Sequence, residues 1–277
     1  MLKAGNYHTL KINRTTANGQ YLIDEDGEEV LLPNRYVDEN SVEGDEVEVF
    51  VYKDSEDRII ATTEKPYAIA GEAAYLEVVD KTLNGAFLDW GLLKDLFLPV
   101  RNMPYRMDVG EKYIVFIYTD NVNGRVVASA RISSFLSNSE ITVNPGDEVN
   151  ILVAQKNDLG FRVIINNKHW GMLYHNQIFS PVSIGDKLTA FVRRVTEDNR
   201  IDVSLQLQGY KEVKRSVDTL MEIIEKNSVV LNVSDDSTPE DIHAATGMSK
   251  KVFKRTAGVL LKAGKIKIEK GRIIKTD

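Results

Sequence analysis

The chain has 277 residues, 43% hydrophobic and 27% charged, with a net charge of −6 and no cysteine. Such a composition belongs to an ordinary soluble globular protein, and it excludes collagen-like and disordered chains, disulfide scaffolds, thiolate metal sites and cysteine nucleophiles. No apolar run approaches the roughly 20 residues of a membrane span, and Met1–Asn6 lacks the apolar core of a signal peptide, so a cytoplasmic location without membrane contact is expected.

Charge changes sign along the chain. Residues 1–68 are net −8, residues 69–138 and 139–208 are each −1, and residues 209–277 are +4. From Lys250 to Lys275 there are ten Lys/Arg against the single acid Glu269. An anionic partner is therefore expected at the C-terminal end and repelled by the first segment.

The first three segments are copies of one pattern. Asn18-Gly19-Gln20-Tyr21-Leu22 recurs as Asn84-Gly85-Ala86-Phe87-Leu88 and then as Leu159-Gly160-Phe161-Arg162-Val163. Leu32-Pro33 recurs as Leu98-Pro99 and Leu173-Tyr174, and Gly44-Asp45 as Gly110-Glu111 and Gly185-Asp186. Arg58-Ile59-Ile60 recurs as Arg125-Val126-Val127 and Arg200-Ile201-Asp202. Both Gly19–Gly85–Gly160 and Gly44–Gly110–Gly185 are offset by 66 and then 75 residues, so the landmarks hold register. Within each copy, runs such as Glu46–Tyr52 and Leu188–Val192 alternate with period two and read as strands. Segments 54–57, 121–124 and 197–199 supply hairpin turns. About five short strands in about 70 residues suit a small closed barrel of the OB type, which leaves no open sheet edge. Barrels this small are marginal alone, so packing between neighbours is expected.

Residues 209–277 break the pattern. Val213, Val217, Leu220, Met221 and Ile224 fall on one face of an amphipathic helix. Thr238 is placed to cap a helix that begins at Pro239 and stops at Gly247. Ser249 caps a basic helix through about Lys262, followed by Gly264. Its Lys251, Lys254, Arg255 and Lys262 share one face, while Val252, Thr256, Val259 and Ala263 line another, with Phe253 and Leu260 beside them. Ile266–Glu269 and Arg272–Ile274 flank Lys270-Gly271 as a hairpin, completing a winged helix-turn-helix. The reading is mainly β: three tandem OB-fold five-stranded barrels at 1–65, 66–137 and 138–208, then an α+β winged helix at 209–277.

Gly85-Ala86-Phe87-Leu88-Asp89, Gly110-Glu111 and Arg125–Ser129 resemble the S1-type RNA-binding domain, as do Gly171-Met172-Leu173 and Asp202–Leu205; the first copy matches less closely. Pro33, Pro99 and Tyr174 stand where that pattern usually has a histidine. Asn18, Asn84 and Leu159 replace the aromatic before the glycine. Three S1-type units followed by a winged helix resemble, over essentially the whole chain, the conserved virulence factor B (YitL) family of bacterial proteins. That resemblance implies a non-catalytic RNA-binding regulator of gene expression.

Binding single-stranded RNA requires flat side chains for unstacked bases and cations for phosphates. The candidates in the third copy are Phe161, Arg162, Trp170, Tyr174, His175, Arg193 and Arg200. In this copy the aromatic has moved by one residue, so either Phe161 is core and Arg162 faces the ligand, or a bulge restores the aromatic. Lys250, Lys251, Lys254, Arg255, Lys267 and Arg272 of the winged helix are expected to extend the track into one composite surface. Tyr21, Phe87 and Arg125 are weaker candidates. The first two barrels are expected to be a largely non-binding scaffold, open to docking a ribosome or other protein.

No enzyme is expected. His8, His169, His175 and His243 show no metal-ligand spacing, there is no phosphate-cradling loop or nucleophile elbow, and no cofactor is expected. Two rivals stand beside the RNA reading: a DNA-binding transcription regulator using the winged helix, and a protein-docking adaptor.

Overall fold

The computed structural model describes residues 2–178, 180–206, 210–227, 230–269 and 271–276, with side chains 210–215 excluded. The chain divides into two compact units, Met1–Leu205 and Gln206–Asp277.

The first unit is three closed five-stranded barrels. Barrel one is β1 (Asn6–Thr16), β2 (Gly19–Ile23), β3 (Glu29–Pro33), β4 (Glu46–Lys53) and β5 (Ile59–Thr62). Barrel two is β6 (Ala73–Thr82), β7 (Gly85–Asp89), β8 (Leu96–Pro99), β9 (Lys112–Thr119) and β10 (Val126–Ser129). Barrel three is β11 (Glu148–Asn157), β12 (Gly160–Ile165), β13 (His169–Tyr174), β14 (Lys187–Val195) and β15 (Ile201–Ser204). In each, the first three strands form an antiparallel meander, the third pairs with the fifth in parallel, and the fourth closes the barrel against the first.

The repeat landmarks are the residues this closure needs. Gly19, Gly85 and Gly160 have φ of +144°, +159° and +153°, and a Cβ on any of them would sit 2.1–2.2 Å from a carbonyl oxygen of the neighbouring strand. Only glycine tolerates both the backbone conformation and that approach. Each barrel's first strand also carries a bulge, at Asn13, Val79 and Ala154. These bulges keep the same offsets of 66 and 75 residues, and they bend the strand so that one segment serves both halves of the barrel.

The barrels are packed into one another. Phe50 and Tyr52 of barrel one join Trp90, Leu96 and Ile117 of barrel two in a shared core. Ala73, Phe116 and Leu136 meet Leu152 and Ile164 of barrel three in another. The β12–β13 turn holds Asn166 and Asn167 at positive φ, and the Asn167 side-chain oxygen accepts from the Ala73 amide at 3.1 Å. The packing expected of such small barrels is present.

The second unit has, among its described residues, α1 (Tyr210–Lys226), β16 (Val230–Leu231), α2 (Pro239–Thr246), α3 (Lys250–Lys262), β17 (Ile266–Glu269) and β18 (Arg272–Lys275). Thr238 and Ser249 cap α2 and α3 through their side chains, and Gly247 ends α2 in the left-handed conformation. Leu220 and Ile224 of α1 are fully buried with Val217 and Met221 beside them; the Val213 side chain lies outside the described residues. The core face of α3 differs from the expected one. It is Phe253, Thr256, Ala257 and Leu260, while Val259 is 44% exposed and Ala263 lies on the surface. Val252 packs, partly buried, against the same core, so the buried face is centred on Phe253 and Leu260 and leaves Val259 at its edge. Val230–Leu231, not foreseen as a strand, adds to the hairpin through β18.

Candidate nucleic-acid interface

On barrel three, β12 and β13 pair so that Arg162 lies opposite Met172 and Gly160 opposite Tyr174. Burial alternates along β13: Gly171 and Leu173 point inward, Trp170, Met172 and Tyr174 outward. These outward side chains and Arg162 line a groove of about 480 Å³, rimmed by Leu159, Asn157, Asp198 and Arg200. Of the two openings left by the shifted aromatic, the first is observed. Phe161 is 6% exposed inside the barrel core and Arg162 takes the outward place, which removes Phe161 from the stacking set. In register terms Arg162 occupies the position of Tyr21 and Phe87 in the other barrels, one residue past the bulge on the paired strand.

The Arg162 guanidinium lies 3.7 Å above the Trp170 ring centroid. It is half-buried, has no carboxylate partner among the described residues, and burial holds it below its ordinary pKa. Cation–π contact offsets part of that desolvation, and among the described residues the groove aspartates Asp198 and Asp202 pair with Arg200 and Arg194 instead. The Trp170 indole N–H is also buried without a hydrogen-bond partner.

Other predicted residues fall into place less simply. Arg200 lines the groove but pairs with Asp198 at 2.7 Å. Arg193 does not line it. A bulge between Val192 and Arg194 shifts the facing of β14, and the adjacent Arg194 reaches the groove-lining Asp202 at 2.6 Å. Arg194 does not line the groove either, and its charge is taken up by Asp202. His175 is exposed and meets Phe161 edge-on at 6.0 Å. His169 is buried, its Nδ1 donating to the Ser137 carbonyl and its Nε2 accepting from Thr142.

In the first two barrels the weaker candidates have partners of their own. Tyr21 is half-buried under the Arg14 guanidinium at 3.7 Å, with Arg14 paired to Glu29 at 2.8 Å. Phe87 is half-buried and lies opposite Phe97, ring centroids 5.3 Å apart. Arg125 is bound through two nitrogens to Asp57 of barrel one, both contacts at 2.5 Å.

On the winged helix, Lys251, Lys254 and Arg255 are exposed on α3, with Lys254 3.7 Å from Asp235. Lys250 is half-buried and donates to the Ser237 carbonyl at 2.9 Å, tying α3 to the loop before α2. Lys267 is exposed and pairs with Glu269 at 3.1 Å, and Arg272 is exposed on β18. Lys270 lies outside the described residues.

Comparison with known proteins matches residues 4–64 and 70–131, the first two barrels, to the S1 domain, so the barrel weakest by its landmarks is among those matched. Residues 218–274 match the CvfB-like winged helix domain. YitL of Bacillus subtilis (strain 168) is 30% identical over 98% of this chain and 93% of its own. Conserved virulence factor B of Staphylococcus saprophyticus is 23% identical over 91% of this chain and 87% of its own. A crystal structure of a multidomain protein with nucleic acid binding domains from Streptococcus pneumoniae TIGR4 covers 99% of this chain and 98% of its own, at 20% identity and a TM-score of 0.41.

Proposed function

Because the chain belongs to the family of YitL and conserved virulence factor B, S1 domains followed by a winged helix, we propose that it is a cytoplasmic single-stranded-RNA-binding protein that regulates gene expression after transcription. Its task is binding rather than catalysis. Barrel three takes the strand: Tyr174 and the Trp170–Arg162 stack hold unstacked bases, and Arg162, whose charge no carboxylate among the described residues cancels, faces a phosphate. The exposed Lys251, Lys254 and Arg255 of α3, with Lys267 and Arg272 on the hairpin, take a further stretch of the same strand. Two modest sites on one strand reinforce each other through effective concentration.

The observation that carries this reading is Arg162. It is a half-buried guanidinium stacked on an aromatic ring and without a carboxylate partner among the described residues, on the strand position that faces outward in every barrel. A phosphate supplies the missing charge, and a base adjoining it supplies a second flat surface. Each base stacked on an aromatic side chain contributes roughly 1–3 kcal/mol.

The test is fluorescence anisotropy with single-stranded RNA, single-stranded DNA and duplex DNA of equal length, at about 50 and 200 mM salt. RNA is expected to bind most tightly with a moderate salt slope, and Lys251→Glu/Lys254→Glu/Arg255→Glu to weaken it. Preference for duplex DNA would favour a transcription regulator instead. Folded protein that binds none of the three would leave a protein-docking adaptor.

A further inference from the structure

The Trp170 ring of the barrel-three groove stands just beyond the parallel ladder of β13 with β15, which begins at Gly171 and Ile201. The backbone N–H and C=O of Trp170 must therefore find partners other than that strand. Segment 135–142, which enters barrel three from barrel two, supplies both through one side chain. Asn138 Oδ1 accepts from the Trp170 amide at 2.9 Å, and Asn138 Nδ2 donates to the Trp170 carbonyl at 2.9 Å. A primary amide carries the same donor and acceptor as a peptide group, so Asn138 takes the place of a strand here. Its Nδ2 also donates to the Asn199 carbonyl at 2.9 Å, in the β14–β15 turn between Asp198 and Arg200. One amide thus fastens two sides of the groove to each other.

The segment that carries Asn138 is held on both sides of it. Before it, Phe135 stacks on Phe116 of barrel two with ring centroids 4.6 Å apart, and Leu136 is buried in the same cluster. Around it, the buried His169 ring donates from Nδ1 to the Ser137 carbonyl at 2.6 Å and accepts at Nε2 from the Thr142 amide at 3.2 Å. These anchors give the Asn138 side chain a fixed origin. Asn138 itself is half-buried, so its replacement opens no core.

We infer that Asn138 is a positioning residue of the groove: it sets the Trp170 ring, and through the ring Arg162 at 3.7 Å, to receive a base. This role rests on the reading of barrel three as the face that takes the strand. The groove is then a joint product of barrels two and three, although its rings and cations belong to barrel three.

The test uses Trp90→Phe protein, in which Trp170 is the remaining indole, with and without Asn138→Ala. In the absence of RNA, Asn138→Ala is expected to move Trp170 emission to the red and to increase its quenching by acrylamide, with the thermal transition of the first unit retained. With a single-stranded RNA 12-mer, affinity by anisotropy is expected to fall about tenfold, the loss of roughly one base stack. The slope of log affinity against log salt is expected to stay the same, because no charge is removed. Asn138→Asp has the same shape, keeps the acceptor and loses both donors. Should Asn138→Ala not fold, the same increase in quenching is expected from Asn138→Asp in RNA-free protein, where its charge does not act on RNA. Unchanged emission and quenching in folded variants overturn the positioning role. So does an RNA affinity that stays the same after the ring has moved, or a changed salt slope, which would assign the loss to phosphate contacts. Trp90→Phe protein that binds no RNA is instead a failure of the barrel-three reading, and the RNA-free arm still decides whether Asn138 holds the ring.

Discussion

Barrels one and three each carry an arginine–aromatic stack, built from different strands and differently neutralised. Arg14 lies over Tyr21 and Arg162 over Trp170, each at 3.7 Å from the ring centroid. In barrel one Glu29 closes on Arg14 at 2.8 Å, and the Arg14 guanidinium raises no further demand for an anion. In barrel three no carboxylate among the described residues answers Arg162, which is also the more deeply desolvated of the two. On the proposed reading, what separates the two barrels is less the ring than whether the protein has already neutralised the cation on it.

The largest effects test the premise that the two barrels share a backbone. Gly19→Ala and Gly160→Ala each force a Cβ onto a neighbouring carbonyl at a positive φ, and each is expected to cost about 3 kcal/mol in chemical denaturation of the first unit. A large cost in one barrel and none in the other would break the equivalence at its root.

Next comes the charge itself. Arg162→Glu is expected to weaken single-stranded RNA binding by at least tenfold by anisotropy, in line with about 1.5–3 kcal/mol for hydrogen bonds to a charged group. Arg14→Gln/Glu29→Gln, which removes the pair without changing the net charge, should leave that affinity within about twofold. Equal losses would erase the distinction between the barrels.

Removing the neutralising partner should turn barrel one toward barrel three. Glu29→Gln frees Arg14, and the slope of log affinity against log salt should steepen by about one. An unchanged slope would mean that barrel one is closed to the strand for a reason other than charge.

The smallest effect is in acid. The Arg14 side chain, then the Asn13 amide, hold the Glu29 carboxyl below its ordinary value. A carboxylate depressed by folding contributes stability above its unfolded value, and loses it as pH falls through the depressed one. Hydrogen exchange of the β1–β3 amides should therefore lose protection below the ordinary carboxylate range, around pH 4, while amides around Arg162 do not respond through that pair. Loss in both places together would mark general acid unfolding instead.

Much of this architecture is readable from local chemistry. Glycines that no side chain can replace, hydroxyl caps at Thr238 and Ser249, and period-two strands are each dictated by a few neighbouring atoms. What escapes is long-range or depends on a shift of one residue. The Arg125–Asp57 pair joins residues 68 positions apart in different barrels, so composition of the Arg125 segment does not reveal its partner. The bulge in β14 lets the exposed Arg194 rather than Arg193 reach Asp202, and Val259, which spacing places with the apolar residues of α3, is left 44% exposed. Phe161 and Arg162 show the boundary well. Alternation poses two arrangements, and only the paired strand, with its bulge at Ala154, decides which residue faces outward.

The most direct measurement uses the two tryptophans of the chain, Trp90 in the barrel-two core and Trp170 under Arg162. In Trp90→Phe protein, all indole emission comes from Trp170. Single-stranded RNA is predicted to shift that emission saturably, with the same midpoint as anisotropy, and Arg162→Glu is predicted to move both midpoints together. Anisotropy that saturates while Trp170 emission stays constant would contradict the assignment of the strand to barrel three.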